Sequence, residues 1–176
     1  MQAVAPVPSS GGSPVFRSLA FEGLSRFDYG DVILASKPPH STDDPRVWAE
    51  TLFLPSSAPA WVKAAMGLRM ALSPLLGLEA APRGVFDVRR VVGDEALIQY
   101  ADKHLTFRCG VGVDAAAAVV RVTTVVTFND WRGRVYFTPV SLAHPLVVHA
   151  MLRRARPRSA YGRPRKSVCR RASDSA

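Results

Sequence analysis

Residues 85–139, VFDVRRVVGDEALIQYADKHLTFRCGVGVDAAAAVVRVTTVVTFNDWRGRVYFTP, decide the fold. β-Branched and aromatic residues alternate with polar ones through most of this stretch, the period-two pattern of strands with two unlike faces. Turn residues punctuate it at Gly93-Asp94 and at Asp130-Trp131-Arg132-Gly133, where a glycine supplies the positive φ of a tight connection. The pattern predicts strands at Val85–Val92, Glu95–Tyr100, His104–Val113, Ala118–Asn129 and Arg134–Pro139, joined as an antiparallel meander.

Upstream, Ser41-Thr42-Asp43-Asp44 offers capping oxygens directly before Pro45, whose missing amide is no loss in a first helical turn. A helix over Pro45–Leu54 follows, with Val47, Trp48, Thr51 and Leu52 on one face. A second helix is expected over Pro59–Leu78, capped by Ser57, kinked at Pro74 and ended by Gly77, with Trp61, Ala65, Leu68, Leu72 and Leu75 forming an apolar stripe. Residues 27–34 read only as a short mixed segment. Downstream, Ser141–Arg156 reads as an amphipathic helix. Two helices, a strand run and a closing helix predict an α+β domain: a curved antiparallel sheet wrapped around a long C-terminal helix, a shape that tends to leave an apolar cavity.

With 176 residues, 48% of them apolar, the chain suits one complete core. The net charge of +9 is not evenly spread. Residues 153–176 hold nine of the 23 Lys and Arg and one of the 14 acids, which leaves 14 basic against 13 acidic residues, or +1, for residues 1–152. The expected organisation is a flexible Pro/Ser/Gly leader over 1–14, one domain over 15–156 and a disordered basic tail over 157–176. That tail could meet an acidic partner. It has one aromatic, Tyr161, so nucleic acid is not the expected partner. Cys109 and Cys169 read as free thiols of a reducing compartment. With neither a secretion signal nor an 18-residue apolar run, the protein is expected in the cytoplasm with no membrane span.

Alternation places His104, Thr106 and Arg108 on one strand face and Leu105, Phe107 and Cys109 on the other. If a bulge or strong curl brings the first face to a cavity mouth, Asp102 could orient His104 as a general base while Arg108 binds an enolate or carboxylate. The competing expectation is a solvated outer face. Tyr100, Tyr136, Thr124 and Ser141 could each turn a hydroxyl inward, with Tyr136 grouped with the candidate catalytic residues. Trp61, Met66, Met70 and Met151, with Phe107 and Phe128 from the sheet, are candidates for an adaptable apolar wall, or else plain core. The four histidines lack metal-ligand spacing; His144 and His149 lie about 140° apart on a helix. No glycine-rich phosphate loop precedes a helix. Neither a metal nor a cofactor is expected.

Asp102 to Arg108, Thr123 to Asn129, Gly133 to Phe137, His144, Asp28 to Asp31 and Trp48 to Glu50 together resemble a bacterial family known as domain of unknown function 2867. The resemblance spans roughly residues 20 to 155, with Thr106 where an acidic residue is common. Members of that family occur alone and behind NAD(P)-binding reductase-like domains, and they look similar to the helix-grip, START-like superfamily of lipid carriers, hormone receptors and polyketide cyclases. The resemblance implies a helix-grip fold with a hydrophobic cavity. The expected function is binding of a polyketide-like or lipid-like small molecule and cofactor-independent cyclase, dehydratase or isomerase chemistry. The alternatives are a non-catalytic carrier of the same ligand class and an interaction module working with a reductase.

Overall fold

The computed structural model describes residues 17–72 and 84–157. The proposed leader, the basic tail, Cys169, Pro74 and Gly77 lie outside the described residues. After a short 3₁₀ turn at Leu19–Phe21, the elements are β1 (Tyr29–Ser36), α1 (Pro45–Leu52), α2 (Ala60–Leu72), β2 (Val88–Val92), β3 (Glu95–Ala101), β4 (Leu105–Asp114), β5 (Val119–Phe128) and α3 (Trp131–Arg154). The architecture is α+β: an open five-stranded antiparallel sheet, a long C-terminal helix, and two shorter helices before the main strands. Strand order is β1-β5-β4-β3-β2. The meander β2 to β5 is as expected, with Gly93 at φ 58° in the turn that pairs Val92 with Glu95.

Three local readings are corrected. Residues 27–34 include most of an edge strand, β1, which pairs Tyr29 with Val126 and Asp31 with Thr124. The expected strand Arg134–Pro139 is helix, because α3 begins ten residues earlier than periodicity indicated. Its N-cap is Asp130, whose Oδ1 accepts from the Gly133 amide at 2.9 Å. Pro139 and Pro145 sit inside this helix and each removes an amide donor; the Thr138 hydroxyl bonds back to the Arg134 carbonyl and the Ser141 hydroxyl to that of Thr138. Finally, Ser57 does not cap α2. Its hydroxyl donates to the Thr51 carbonyl at 2.6 Å, whereas the Asp44 cap of α1 forms as expected, accepting from the Arg46 amide at 2.8 Å.

One sheet face carries the core. Ile33, Ala96, Ile98, Cys109, Val111, Val113, Val120 and Val122 point toward α1 and α3, where Trp48, Leu52, Val148, Met151 and Leu152 meet them. Burying a side chain of this size stabilises by about 1.5–3 kcal/mol. The Trp48 indole N–H is satisfied by the Thr42 carbonyl at 2.8 Å. On the other face Gly110 and Gly112 leave a shallow floor. A Cβ at Gly110 would lie 2.1 Å from Oε1 of Glu95, so only glycine lets that buried carboxylate cross the sheet. There Glu95 accepts from the Ser18 hydroxyl at 2.6 Å and the Leu19 amide at 2.9 Å, with Arg121 at 3.6 Å. This ties the 3₁₀ turn to the outer face.

Candidate functional site

His104 precedes β4 in the turn from β3, and its ring is buried. The carboxylate expected to orient it, Asp102, does something else. Its Oδ1 accepts from the backbone amides of His104 and Leu105 at 2.7 and 2.8 Å, an Asx-type turn that spacing of two and three residues favours. The ring partner is Asp130, with Nδ1 to Oδ2 at 2.6 Å. The His104 carbonyl accepts from the Asn129 amide at 2.8 Å and from the Asp130 amide at 3.4 Å. Gly133 packs so closely that a Cβ there would sit 2.2 Å from this carbonyl oxygen. The Gly133 amide foremost, with His104 and the Arg132 amide, outweighs the desolvation that would raise it and holds the Asp130 carboxyl below its ordinary range. Nε2 of His104 is sealed from solvent without a partner. The group clamps the start of α3 to the β3–β4 turn.

Arg108 is not beside His104's ring nitrogens. It lies on the outer sheet face and donates from Nη1 to the Glu22 carbonyl at 2.6 Å, while Arg90 pairs with the Glu22 carboxylate. Burial, with Arg90 nearby, pushes the Arg108 guanidinium below its ordinary pKa. The expected ligand wall also disperses. Trp61, Met66 and Met70 point outward, Trp61 being 50% and Met70 64% exposed. Met151 and Phe107 belong to or pack on the core cluster, and Phe107 meets Phe86 edge-on at 6.3 Å. Tyr100 borders an open depression with Arg89, Gln99 and Ala101. Tyr136 is half-buried on α3. Thr124 is buried on the core-facing side of β5, directly across from Asp31.

Around Thr124 the fold assembles a polar group that local spacing did not show. β1 and α3 pack together, and His144 Nδ1 lies 2.7 Å from Oδ2 of Asp31. The Tyr29 hydroxyl donates to the same oxygen at 2.7 Å. Burial alone would raise the Asp31 carboxyl, but the hydrogen bonds from His144 and Tyr29 and the His144 charge outweigh it and hold Asp31 below its ordinary value. Burial and the neighbouring Asp31 drive the Tyr29 hydroxyl well above its own. At neutral pH the arrangement is therefore a carboxylate receiving two donors. In a neutral imidazole that donates from Nδ1 to Asp31, Nε2 is the nitrogen that carries the lone pair. The His144 side chain is 16% exposed. Aromatic rings flank it: Tyr29 meets Phe137 edge-on at 5.0 Å and His144 at 6.0 Å, and Phe128 lies 5.7 Å from Phe137. Oδ1 of Asp31 is buried without a hydrogen-bond partner. Cys109, also buried, has its thiol pushed up to about 12 by burial and is inert at neutral pH.

The signal that could have located this group was present in the sequence as two separate pieces. Asp28 to Asp31 and His144 both belong to the resemblance, yet 113 residues separate the partners. A family model described as Protein of unknown function (DUF2867) matches residues 24–151. No curated protein and no solved structure matches the chain.

Proposed function

We propose, for a chain that belongs to the family of Protein of unknown function (DUF2867), that it binds an apolar, carbonyl-bearing small molecule and moves a proton on it at His144, as a cofactor-independent cyclase, dehydratase or isomerase. The observation that carries this reading is the convergence of Tyr29 and His144 on one oxygen of Asp31, at a partly exposed position among aromatic rings. Asp31 orients the imidazole, Nε2 accepts a proton from carbon next to a carbonyl, and the Asp31 carboxylate stabilises the imidazolium that results. Tyr29, kept protonated, holds Asp31 in place. Phe128, only partly buried, gives a polyketide-like or lipid-like chain an apolar surface to lie on. Holding such a flexible substrate in one reactive shape is itself worth a large rate factor, with effective molarities of about 10⁵ M or more in well-oriented cases.

Native mass spectrometry of freshly purified protein, followed by incubation in heavy water, tests the reading with whatever apolar molecule the protein carries. A co-purified apolar ligand should gain deuterium at carbon in the wild type, and His144→Gln should retain the ligand but stop the exchange. Exchange that is unchanged in His144→Gln removes the catalytic role. Ligand bound by the wild type without any exchange leaves a carrier, and protein that is ligand-free throughout overturns the reading.

A further inference from the structure

α3 is apolar on two opposite sides and buried on only one. At 100° per residue, Gly133, Phe137, Val148, Met151 and Leu152 fall within about 100° of arc, and these are the residues buried against the rest of the fold. Trp131, Val135, Leu142 and Leu146 fall within about 60° on the opposite side. They are exposed, Leu142 by 80%, Leu146 by 68% and Trp131 by 66%. The stripe runs about 22 Å along the helix. α3 has the length and hydropathy of a membrane-crossing helix, but its inner face is committed to the sheet. α2 adds to the outer surface: Trp61, Met66, Leu68 and Met70 are all exposed, with Val62 buried. Between the two helices lies an open groove of about 780 Å³, lined by Trp61, Leu146, Ala150, Arg153 and Arg154 among others.

The charges on the two helices themselves have one sign. Neither α2 nor α3 contains an Asp or Glu. Lys63, Arg132, Arg153 and Arg154 are exposed, and the Arg132 guanidinium lies 5.7 Å from the centre of the Trp131 ring. The sequence beyond Arg154 adds seven more basic residues against one acid. We propose that the outward faces of α2 and α3 dock the protein on an anionic lipid surface, with Trp61, Leu142 and Leu146 entering the interface and the basic residues meeting headgroup phosphates. Projecting Trp, Leu and Met beside Lys and Arg without acids are the composition of an interfacial helix. A bilayer needs no matching pocket for side chains that stand proud of the surface. A second copy of the chain fits less well, because self-pairing would set arginine against arginine with no carboxylate on either helix to receive it.

The test is co-sedimentation of the full chain with vesicles of phosphatidylcholine alone and of phosphatidylcholine containing about one quarter phosphatidylglycerol, at low and high salt. Binding is expected only to the anionic vesicles, falling as salt rises. The double variant Leu142→Ser/Leu146→Ser keeps every charge and should bind at least about tenfold more weakly, since insertion scales with buried apolar area, with an unchanged circular dichroism spectrum. Failure of the wild type to bind anionic vesicles at low salt overturns the proposal. Equal binding by the double variant overturns it as well, by assigning the affinity to charge alone. A wild-type dimer that the double variant dissolves, without vesicle binding, would assign the face to a second copy.

Discussion

Two Asp–His pairs tie α3 to the sheet, about 20 Å apart along the helix, and they differ in what each leaves unused. At the N-terminus, both oxygens of Asp130 are engaged, one by the Gly133 amide and one by His104, and the His104 carbonyl takes two further amides. The ring is closed off on all sides. Near the middle of the helix, Asp31 takes both donors on one oxygen, and the His144 ring stays in contact with solvent. The same two side chains make a structural clamp where the imidazole is sealed and a candidate acid–base site where the imidazole keeps some contact with solvent. Geometry, rather than residue type, separates the roles.

The strongest way to break the comparison is to open the clamp. Gly133→Ala places a methyl group against the His104 carbonyl, where the nearest atom is backbone and cannot swing aside. It should cost about 3 kcal/mol in denaturant unfolding, the upper range for overpacking. A loss below about 1 kcal/mol would mean that α3 can start elsewhere and that the clamp does not set its position. Next in size is the contrast between the two histidines. His104→Ala removes a buried ring, at about 2 kcal/mol, while His144→Ala removes a ring that is 16% exposed and leaves Asp31 with the Tyr29 hydroxyl, at about 1 kcal/mol. Equal losses would erase the distinction between clamp and site.

Much of the fold is legible because its signals are local. The Asp44-Pro45 cap, the Gly93-Asp94 turn and the alternation through β3, β4 and β5 are read within a few residues. β1 escapes such a reading because Asp28, Gly30 and Asp31 dilute its apolar pattern, and Asp31 occupies an inward position whose partners are Tyr29 beside it and the distant His144 on α3. The first ten residues of α3 imitate a strand because Gly133 and Pro139 are breakers and Val135-Tyr136-Phe137 favour strands. Asp130 capping and the burial of Phe137 override those preferences. The site is harder still. Asp102 is the carboxylate nearest to His104 in sequence, but nearness in sequence gives it to the backbone amides, and the true partners are 26 and 113 residues apart. Contacts at such separations leave no spacing to read.

Acid titration sharpens the comparison further. A carboxyl held below its ordinary value stabilises the folded state above that value, about 3.9 for Asp, and loses the contribution as pH falls through it toward the folded value. Asp31 and Asp130 both have this sign. Asp31→Asn should therefore flatten the fall in stability below about pH 4 without removing it, because Asp130 still titrates; one proton accounts for at most about 1.4 kcal/mol per pH unit. An acid limb identical to the wild type would show that Asp31 is not engaged by His144 and Tyr29 in solution.

The smallest effect comes from Tyr29→Phe, which keeps the ring against Phe137 and deletes one hydrogen bond, at a cost of about 1 kcal/mol. Its pH signature is opposite in sign to that of Asp31. A hydroxyl held above its ordinary pKa stabilises the fold below about pH 10 and loses that contribution as pH rises toward the folded value, so the wild type should lose more stability in alkali than the Phe variant, in which Cys109 still titrates with the same sign. The variant also changes the load on Asp31, which then serves His144 alone. If Tyr29 only braces the carboxylate, deuterium exchange into a bound ligand should persist at a reduced rate. Complete loss of exchange in Tyr29→Phe, with ligand still bound, would instead make the tyrosine hydroxyl a proton donor in the reaction and move the centre of the site from α3 to β1.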